Sequence, residues 1–258
     1  MPSDHTRGAI LSAAERLYAD RGFADVTLRD IVAEADVNLA AVNYHFGSKD
    51  ELIAELFVTR SLATNRERLN ELKVAEADGG GRASIEAILR ALVGPTLRGC
   101  LGPNNERSTA ARFMIRASIE SVPPIRRIKN REIDHLRKFS AAMRRSLPDR
   151  SEVDLCWGLH FALAMAHQTI RDSERLTKWS EAMCDLNDVA GIIDRVVAVS
   201  AMAHQTIRDS ERLTKLSDGS CDLNDVAGII ERIVAVSALA LTGNEAKIPA
   251  KVLARGTR

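Results

Sequence analysis

The sequence predicts an all-α protein, and three observations support that class. Apolar residues recur at the three- and four-residue spacing of helices, and no convincing alternating strand pattern is present. Glycine and proline breaks divide the chain into segments of helical length. The chain has 258 residues, of which 45% are hydrophobic and 28% charged, so it can bury a real core. A wholly disordered protein is therefore excluded.

Two helices are expected before a short turn in the N-terminal part. The first ends at Arg21-Gly22, a helix-end signal, and its buried stripe consists of Ile10, Ala13, Ala14, Leu17 and Tyr18. The second is about two turns long and begins at Thr27, which forms a capping-box-like pair with Asp30. Its inward residues are Leu28, Ile31, Val32 and Ala35.

Two further helices follow the turn at residues 36–38. Asn38 can cap a third helix that carries Val42 and Phe46 inward, and Gly47 ends it. Ser48 with Glu51 forms a capping box that opens a fourth helix toward about residue 73. Beyond a flexible Gly-Gly-Gly tract, the breaks predict helices at about 84–100, 106–120, 124–146 and 151–176.

A tandem repeat lies near the C-terminus. Residues 164–200 recur as 201–237, with 31 of 37 positions identical. A solenoid needs three or more units, so two copies indicate a local duplication inserted into a body that can fold without it. The junction lacks Gly and Pro, which predicts one continuous helix from about 187 to 215, roughly 43 Å long. A break into two short helices at the junction is the alternative, and the loops are expected at 178–185 and 215–222.

The segment at residues 27–52, TLRDIVAEADVNLAAVNYHFGSKDEL, resembles the helix-turn-helix of TetR-family transcriptional regulators. The likeness covers about residues 6–55 and includes the caps, the apolar positions and the residues after the third helix. One position departs from the family, because Asp36 stands in the turn where glycine is usual. Aspartate tolerates the left-handed conformation better than most residues but worse than glycine.

The third helix is expected to enter the major groove of DNA, because two short helices joined by a tight turn can present the second to the base edges. Asn43 can pair with adenine, and Leu39 or Ala40 can contact a thymine methyl group. The expected DNA-binding residues, including those suited to phosphate, are Thr27, Arg29, Asn38, Leu39, Ala40, Asn43, Tyr44, His45 and Lys49.

The net charge of the N-terminal part argues against the prediction of DNA binding. Residues 1–60 contain six Lys or Arg and ten Asp or Glu, a net charge of −4, although the whole chain is +1. The acidic side chains would have to point away from DNA. The alternative hypothesis is an all-helical protein-interaction module whose head no longer binds DNA, and the salt dependence of binding distinguishes the two.

The resemblance implies a helix-turn-helix head at residues 1–50 and a helical ligand-binding and dimerisation body at 51–242. Residues 243–258 are expected to form a basic tail, since Lys247, Lys251, Arg255 and Arg258 outnumber Glu245. The resemblance further implies a homodimer that packs through its last two helices, a palindromic double-stranded DNA operator, and a small-molecule effector that releases a repressor. The expected pocket residues are Phe113, Arg116, Phe139, Trp157 and Phe161. For the aromatic residues, packing in the core is the more ordinary alternative. For Arg116, the more ordinary alternative is a surface salt bridge.

Other functions lack a sequence signal. Cys156, His160 and His167 share a helical face but have no fourth ligand nearby, so neither a metal nor another cofactor is expected. Motifs for nucleophilic, phosphate-binding or zinc-dependent catalysis are missing, so an enzyme is not expected. No apolar run reaches the ~20 residues of a membrane span and no signal peptide is found, so a cytoplasmic protein is expected.

Overall fold

The computed structural model describes residues 2–101, 108–120 and 122–209. These residues form eleven helices and no strand, which confirms the all-α class. The helices are α1 (Pro2–Arg21), α2 (Leu28–Glu34), α3 (Leu39–Phe46), α4 (Lys49–Asp78), α5 (Ile85–Cys100), α6 (Thr109–Ile119), α7 (Pro123–Arg131), α8 (Asp134–Ser146), α9 (Glu152–Arg171), α10 (Ser173–Trp179) and α11 (Val189–Asp209).

The N-terminal helices enclose one apolar core, to which α4, α6 and α7 also contribute. All five residues of the predicted α1 stripe are buried, and so are Ile31 of α2 and both inward residues of α3, Val42 and Phe46. The Phe23 ring lies at the centre of this core, 5.0 Å from the Tyr18 ring and 5.5 Å from the Phe113 ring. Aromatic pairs at these distances stabilise a core beyond the area that they bury.

The chain packs as two compact units. The first is built, within the described part, from residues 2–70, 95–101, 108–120, 122–136 and 167–189. The second is built, within the described part, from residues 71–94, 137–166 and 190–209. Each has its own buried apolar residues, with Phe139 and Met143 fully buried in the second unit. The predicted division into a head at 1–50, a body at 51–242 and a tail remains a prediction.

Two predicted helices are each broken in the structure. The segment predicted at 124–146 forms α7 and α8, because α7 buries Ile125 and Ile128 in the first unit whereas α8 buries its apolar side in the second. The segment predicted at 151–176 forms α9 and α10, which meet at Asp172. No Gly or Pro marks either break, so packing rather than a local signal ends these helices.

The helix α11 crosses the repeat junction. It runs without a break from Val189 to Asp209 and therefore continues through Ser200 and Ala201, as predicted. Its buried side includes Ile193, Val196 and Val197, and Ser200 donates a hydrogen bond to the Val196 carbonyl at 2.7 Å. The predicted end near residue 215, the second loop at 215–222 and the basic tail lie outside the described residues.

Within residues 2–101, 108–120 and 122–209, every helix is too short or too polar to cross a bilayer.

Candidate nucleic-acid interface

Local caps hold α3 in place. Thr27 and Asp30 form the capping box at the start of α2, with the Thr27 amide donating to the Asp30 carboxylate at 2.7 Å. Asn38 caps α3, since its side-chain oxygen accepts from the Ala41 amide at 2.9 Å. Between the two helices Asp36 has φ +52°, the left-handed conformation expected at this turn position. These contacts fix both ends of the turn.

The outward side of α3 carries four exposed residues, Leu39, Ala40, Asn43 and Tyr44, called the reading face below. Tyr44 is 82% exposed and Leu39 is 42% exposed. Within the described part of the chain, neither Asn43 nor Tyr44 forms a side-chain hydrogen bond. An exposed aromatic ring beside an unpaired amide is suited to contact an external partner.

The other predicted DNA-binding residues have mixed surroundings. Arg29 is exposed and His45 is half-buried beside the Tyr44 ring, with 5.1 Å between the two ring centroids. Thr27 and Asn38 are engaged as helix caps. The Lys49 ammonium group donates to the Phe23 carbonyl at 2.6 Å, so it already has a partner within the protein. It retains further N–H donors for other contacts.

The acidic residues of the N-terminal part are largely held by arginine. The Arg60 guanidinium donates to the Glu15 carboxylate at 2.6 Å through Nη2. Five further ion pairs join carboxylates of this region to arginines: Arg7 with Glu55, Arg16 with Glu34 at 3.0 Å, Arg21 with Asp30 at 3.8 Å, Arg112 with Asp20 at 2.9 Å and Arg127 with Asp50 at 3.5 Å. Arg112 and Arg127 lie beyond residue 60, so a count over residues 1–60 overstates the negative charge of this surface.

Glu120 joins the end of the first helix to α6, a contact that sequence reasoning missed. Its carboxylate accepts from the Phe23 amide at 2.8 Å. Gly22 has φ +90°, and a Cβ built there would lie 2.5 Å from Glu120 Oε1. The positive φ favours glycine here, and a Cβ would also force the Glu120 carboxylate to move. The two residues are almost a hundred positions apart, so no sequence spacing could reveal the contact.

The predicted pocket residues occupy ordinary structural positions. Phe113 and Phe139 are fully buried. Arg116 pairs with Glu120 at 3.4 Å and donates to the Asp20 carbonyl at 3.3 Å. Trp157 and Phe161 are half-buried, with ring centroids 5.4 Å apart. Their assignment to a pocket therefore stays a prediction. Among the residues that the structure describes, no three His, Cys, Asp or Glu side chains are grouped to hold a metal ion.

Two family models match the chain. The model described as "Bacterial regulatory proteins, tetR family" matches residues 10–56. The model described as "Tetracyclin repressor-like, C-terminal domain" matches residues 90–201. The first match covers α2 and α3 with their caps, and the second ends where the second repeat copy begins.

Curated relatives match the N-terminal part alone. The HTH-type transcriptional repressor Rv3405c of Mycobacterium tuberculosis is 46% identical over 50 residues, which is 19% of this chain and 27% of that protein. The HTH-type transcriptional regulator TtgR of Pseudomonas putida is 43% identical over 54 residues, which is 21% of this chain and 26% of that protein. The chain thus matches about a quarter of the length of these relatives.

Solved structures share the fold over a longer stretch. A TetR family transcription regulator from Marinobacter aquaeolei VT8 aligns with a TM-score of 0.52 at 14% identity, covering 76% of this chain and 95% of that one. A transcriptional regulator from Pseudomonas aeruginosa PAO1 aligns with a TM-score of 0.56 at 17% identity, covering 80% and 94%. With the capped helix pair and the two family models, these findings show that the chain belongs to the TetR family of transcriptional regulators.

Proposed function

We propose that this protein is a sequence-specific DNA-binding repressor that a small-molecule effector releases from its operator. The observation that carries the proposal is the reading face, where Asn43 and Tyr44 are exposed without side-chain hydrogen bonds while the opposite side of α3 is buried. A helix anchored on one side and open on the other can enter the major groove. The named relatives are helix-turn-helix regulators and repressors, which supports the same function.

Each residue of the reading face has a chemical role in this proposal. The Asn43 amide can form two hydrogen bonds with the N6 and N7 positions of adenine, and Leu39 or Ala40 can contact a thymine methyl group. The Tyr44 hydroxyl, His45, Arg29 and the free amides at the start of α4 are suited to phosphate. Thr27, Asn38 and Lys49 chiefly fix the helices, and their remaining donors add backbone contacts.

Dimerisation, the effector and the location are further parts of the proposal. One short helix reads few base pairs, whereas two copies spaced by one or more helical turns read a palindrome. The effector would favour a spacing of the two heads that does not match the operator. A DNA-binding regulator must reach the chromosome, so we place the protein in the cytoplasm.

The DNA-binding test compares variants of the reading face with matched exposed controls. Asn43→Ala and Tyr44→Ala should each weaken binding to the DNA flanking the protein's own gene by roughly 5- to 100-fold in a gel shift. Asn70→Ala and Trp179→Ala remove an exposed amide and an aromatic ring that is 81% exposed, and neither should change affinity. Unchanged affinity in both reading-face variants would refute the assignment of the interface.

Salt dependence distinguishes this function from the protein-interaction module. Binding that depends on phosphate contacts must weaken steeply as salt rises, because condensed counterions are released from DNA. The logarithm of the binding constant should therefore fall linearly with the logarithm of the salt concentration. A flat dependence, or no DNA binding at all, would favour the interaction module.

The duplicated segment belongs to a separate proposal. We infer that the added helical segment lies at or beside the dimer interface, where the last helices of family members pack. Two observations support an insertion: α11 continues through the junction, and the match to the family body ends at residue 201. Deletion of residues 201–237 should leave a folded dimer with an altered dissociation constant, measured by light scattering and ultracentrifugation. An unfolded monomer would contradict the proposal.

A further inference from the structure

Arg68 is a buried cation without an acidic hydrogen-bond partner. It lies on α4 with 7% of its surface exposed. Its guanidinium donates to the Asn65 side-chain oxygen at 3.1 Å and to the Thr96 hydroxyl at 2.6 Å. The Nε atom is buried and has no hydrogen-bond acceptor within the described part of the chain. Both acceptors are neutral, so the charge itself is not compensated by these contacts.

Such an arrangement is costly for the fold. Arginine is almost never fully buried unless it is paired, because its charge loses hydration. Burial lowers the pKa of Arg68 to about 10, which the Cys100 thiol and Glu67 offset in part, and the group stays charged at neutral pH. Glu67 is itself held by Arg98 at 3.0 Å. The buried Glu15 differs, since Arg60 binds it directly.

Three more basic side chains belong to the same compact unit, and with Arg68 they form the Arg68 cluster: Arg68, Lys129, His135 and His167. Burial and the Arg68 charge lower the pKa of His135 to about 4, against an opposing effect of Glu132 and Asp134. A hydrogen bond to the Glu132 backbone also opposes the shift, and His135 is neutral at pH 7.

The remaining two members, Lys129 and His167, are both exposed. The pKa of His167 is lowered to about 4, first by desolvation of its ring and then by the charges of Arg68, Lys129 and Arg171, although the residue is exposed. The Lys129 ammonium group donates to the Ala117 carbonyl at 3.2 Å and lies 5.6 Å from the centre of the Phe57 ring. Among the described residues, no carboxylate forms an ion pair with Arg68 or Lys129.

We propose that Arg68 anchors the oxyanion of a small organic acid, a carboxylate or a phosphate ester, inside the first compact unit. The unpaired Nε–H and the terminal N–H groups supply the planar donor set that binds such an oxyanion through two parallel hydrogen bonds. Lys129 adds positive charge to the same unit. This inference rests on the proposed function, because it assigns a chemical class to the effector.

The test measures ligand binding to the full chain without DNA. The probes are hexanoate, benzoate and phenyl phosphate, each compared with its neutral counterpart, hexanamide, benzamide or phenol. At least one anion should raise the melting temperature of the protein more than its counterpart. Inorganic phosphate shows whether the oxyanion is sufficient without an organic group.

Arg68→Met should raise the dissociation constant of the anion that binds by roughly 10- to 100-fold, measured by calorimetry. Arg66→Met, an exposed change on the same helix, should not.

A second measurement separates a ligand site from a structural role. Without ligand, Arg68→Met should melt at the same or a higher temperature, because an apolar chain replaces a poorly compensated buried charge. A lower melting temperature would show that the guanidinium serves the fold, and the proposal would fail. Equal effects of anions and neutral counterparts, or no effect of any anion, would also overturn it. Failure of DNA binding in the gel shift leaves these outcomes unaffected, so the two proposals can fail separately.

Discussion

The reading face and the Arg68 cluster place polar groups in opposite environments. On α3, Asn43 and Tyr44 are exposed, and the residues that orient the helix lie within a few positions of it. Around Arg68, polar groups from α4, α5, α7, α8 and α9 belong to one unit, and the guanidinium is buried. Exposed groups cost the fold little, whereas a buried charge must be compensated. The two sites should therefore respond differently when the free energy of unfolding is measured.

The largest difference in the free energy of unfolding is expected between substitutions on the buried and the exposed side of α3. Phe46→Ala should lower the free energy of unfolding by about 3–4 kcal/mol, because Phe46 is 6% exposed and fills the core. Tyr44→Ala, on the exposed side, should change it by less than about 0.5 kcal/mol. Urea unfolding followed by circular dichroism measures both. Similar losses for the two variants would mean that α3 is buried on both sides, and the contrast between the sites would disappear.

The next largest loss of stability is expected when a buried charge that has a partner loses that partner, and so becomes unpaired like the Arg68 guanidinium. Arg60→Met leaves the Glu15 carboxylate, 7% exposed, without its bidentate partner. The free energy of unfolding should fall by about 2–3 kcal/mol. Arg16→Met breaks the exposed pair with Glu34 and should cost less than about 0.5 kcal/mol. If Arg60→Met costs no more than this control, an unpaired charge is tolerated here and the argument from Arg68 loses force.

A smaller effect is expected when His135 of the Arg68 cluster is titrated. Its pKa is lowered to about 4 in the folded protein, so the unfolded chain binds the proton first as pH falls. Its stabilising contribution is therefore complete above about pH 6.5 and is lost toward pH 4. His135→Gln should remove about 1–2 kcal/mol of this acid destabilisation, a value reduced for partial solvent screening. The exposed His160→Gln is the control, and identical pH profiles for wild type and His135→Gln would contradict the burial of this imidazole.

The smallest effect lies in the turn before α3. Asp36→Gly should raise the free energy of unfolding by about 0.5–1 kcal/mol, because glycine adopts φ +52° without the steric cost that a Cβ brings. Asp25→Gly changes an exposed aspartate without positive φ and should give no gain. Thermal unfolding of the two variants makes the comparison. Stabilisation by Asp25→Gly alone would show that the turn is not strained.

The sequence by itself determined the helical class, the caps and the two sides of α3, because these depend on residues three or four positions apart. The α1 stripe, the Thr27–Asp30 capping box and the outward position of Asn43 and Tyr44 are all of this local kind. The continuous helix across the repeat junction also followed from local spacing, as far as Asp209.

Only the tertiary structure decided the contacts between distant positions. The pairing of head carboxylates with Arg112 and Arg127, the approach of Glu120 to Gly22, and the ends of α7 and α9 all depend on packing. The burial of Arg68 beside Thr96 is of the same kind, since the two residues are 28 positions apart. Helical periodicity shows which side of a helix is apolar, but it does not show which other helix covers that side, and burial and charge compensation depend on the covering helix.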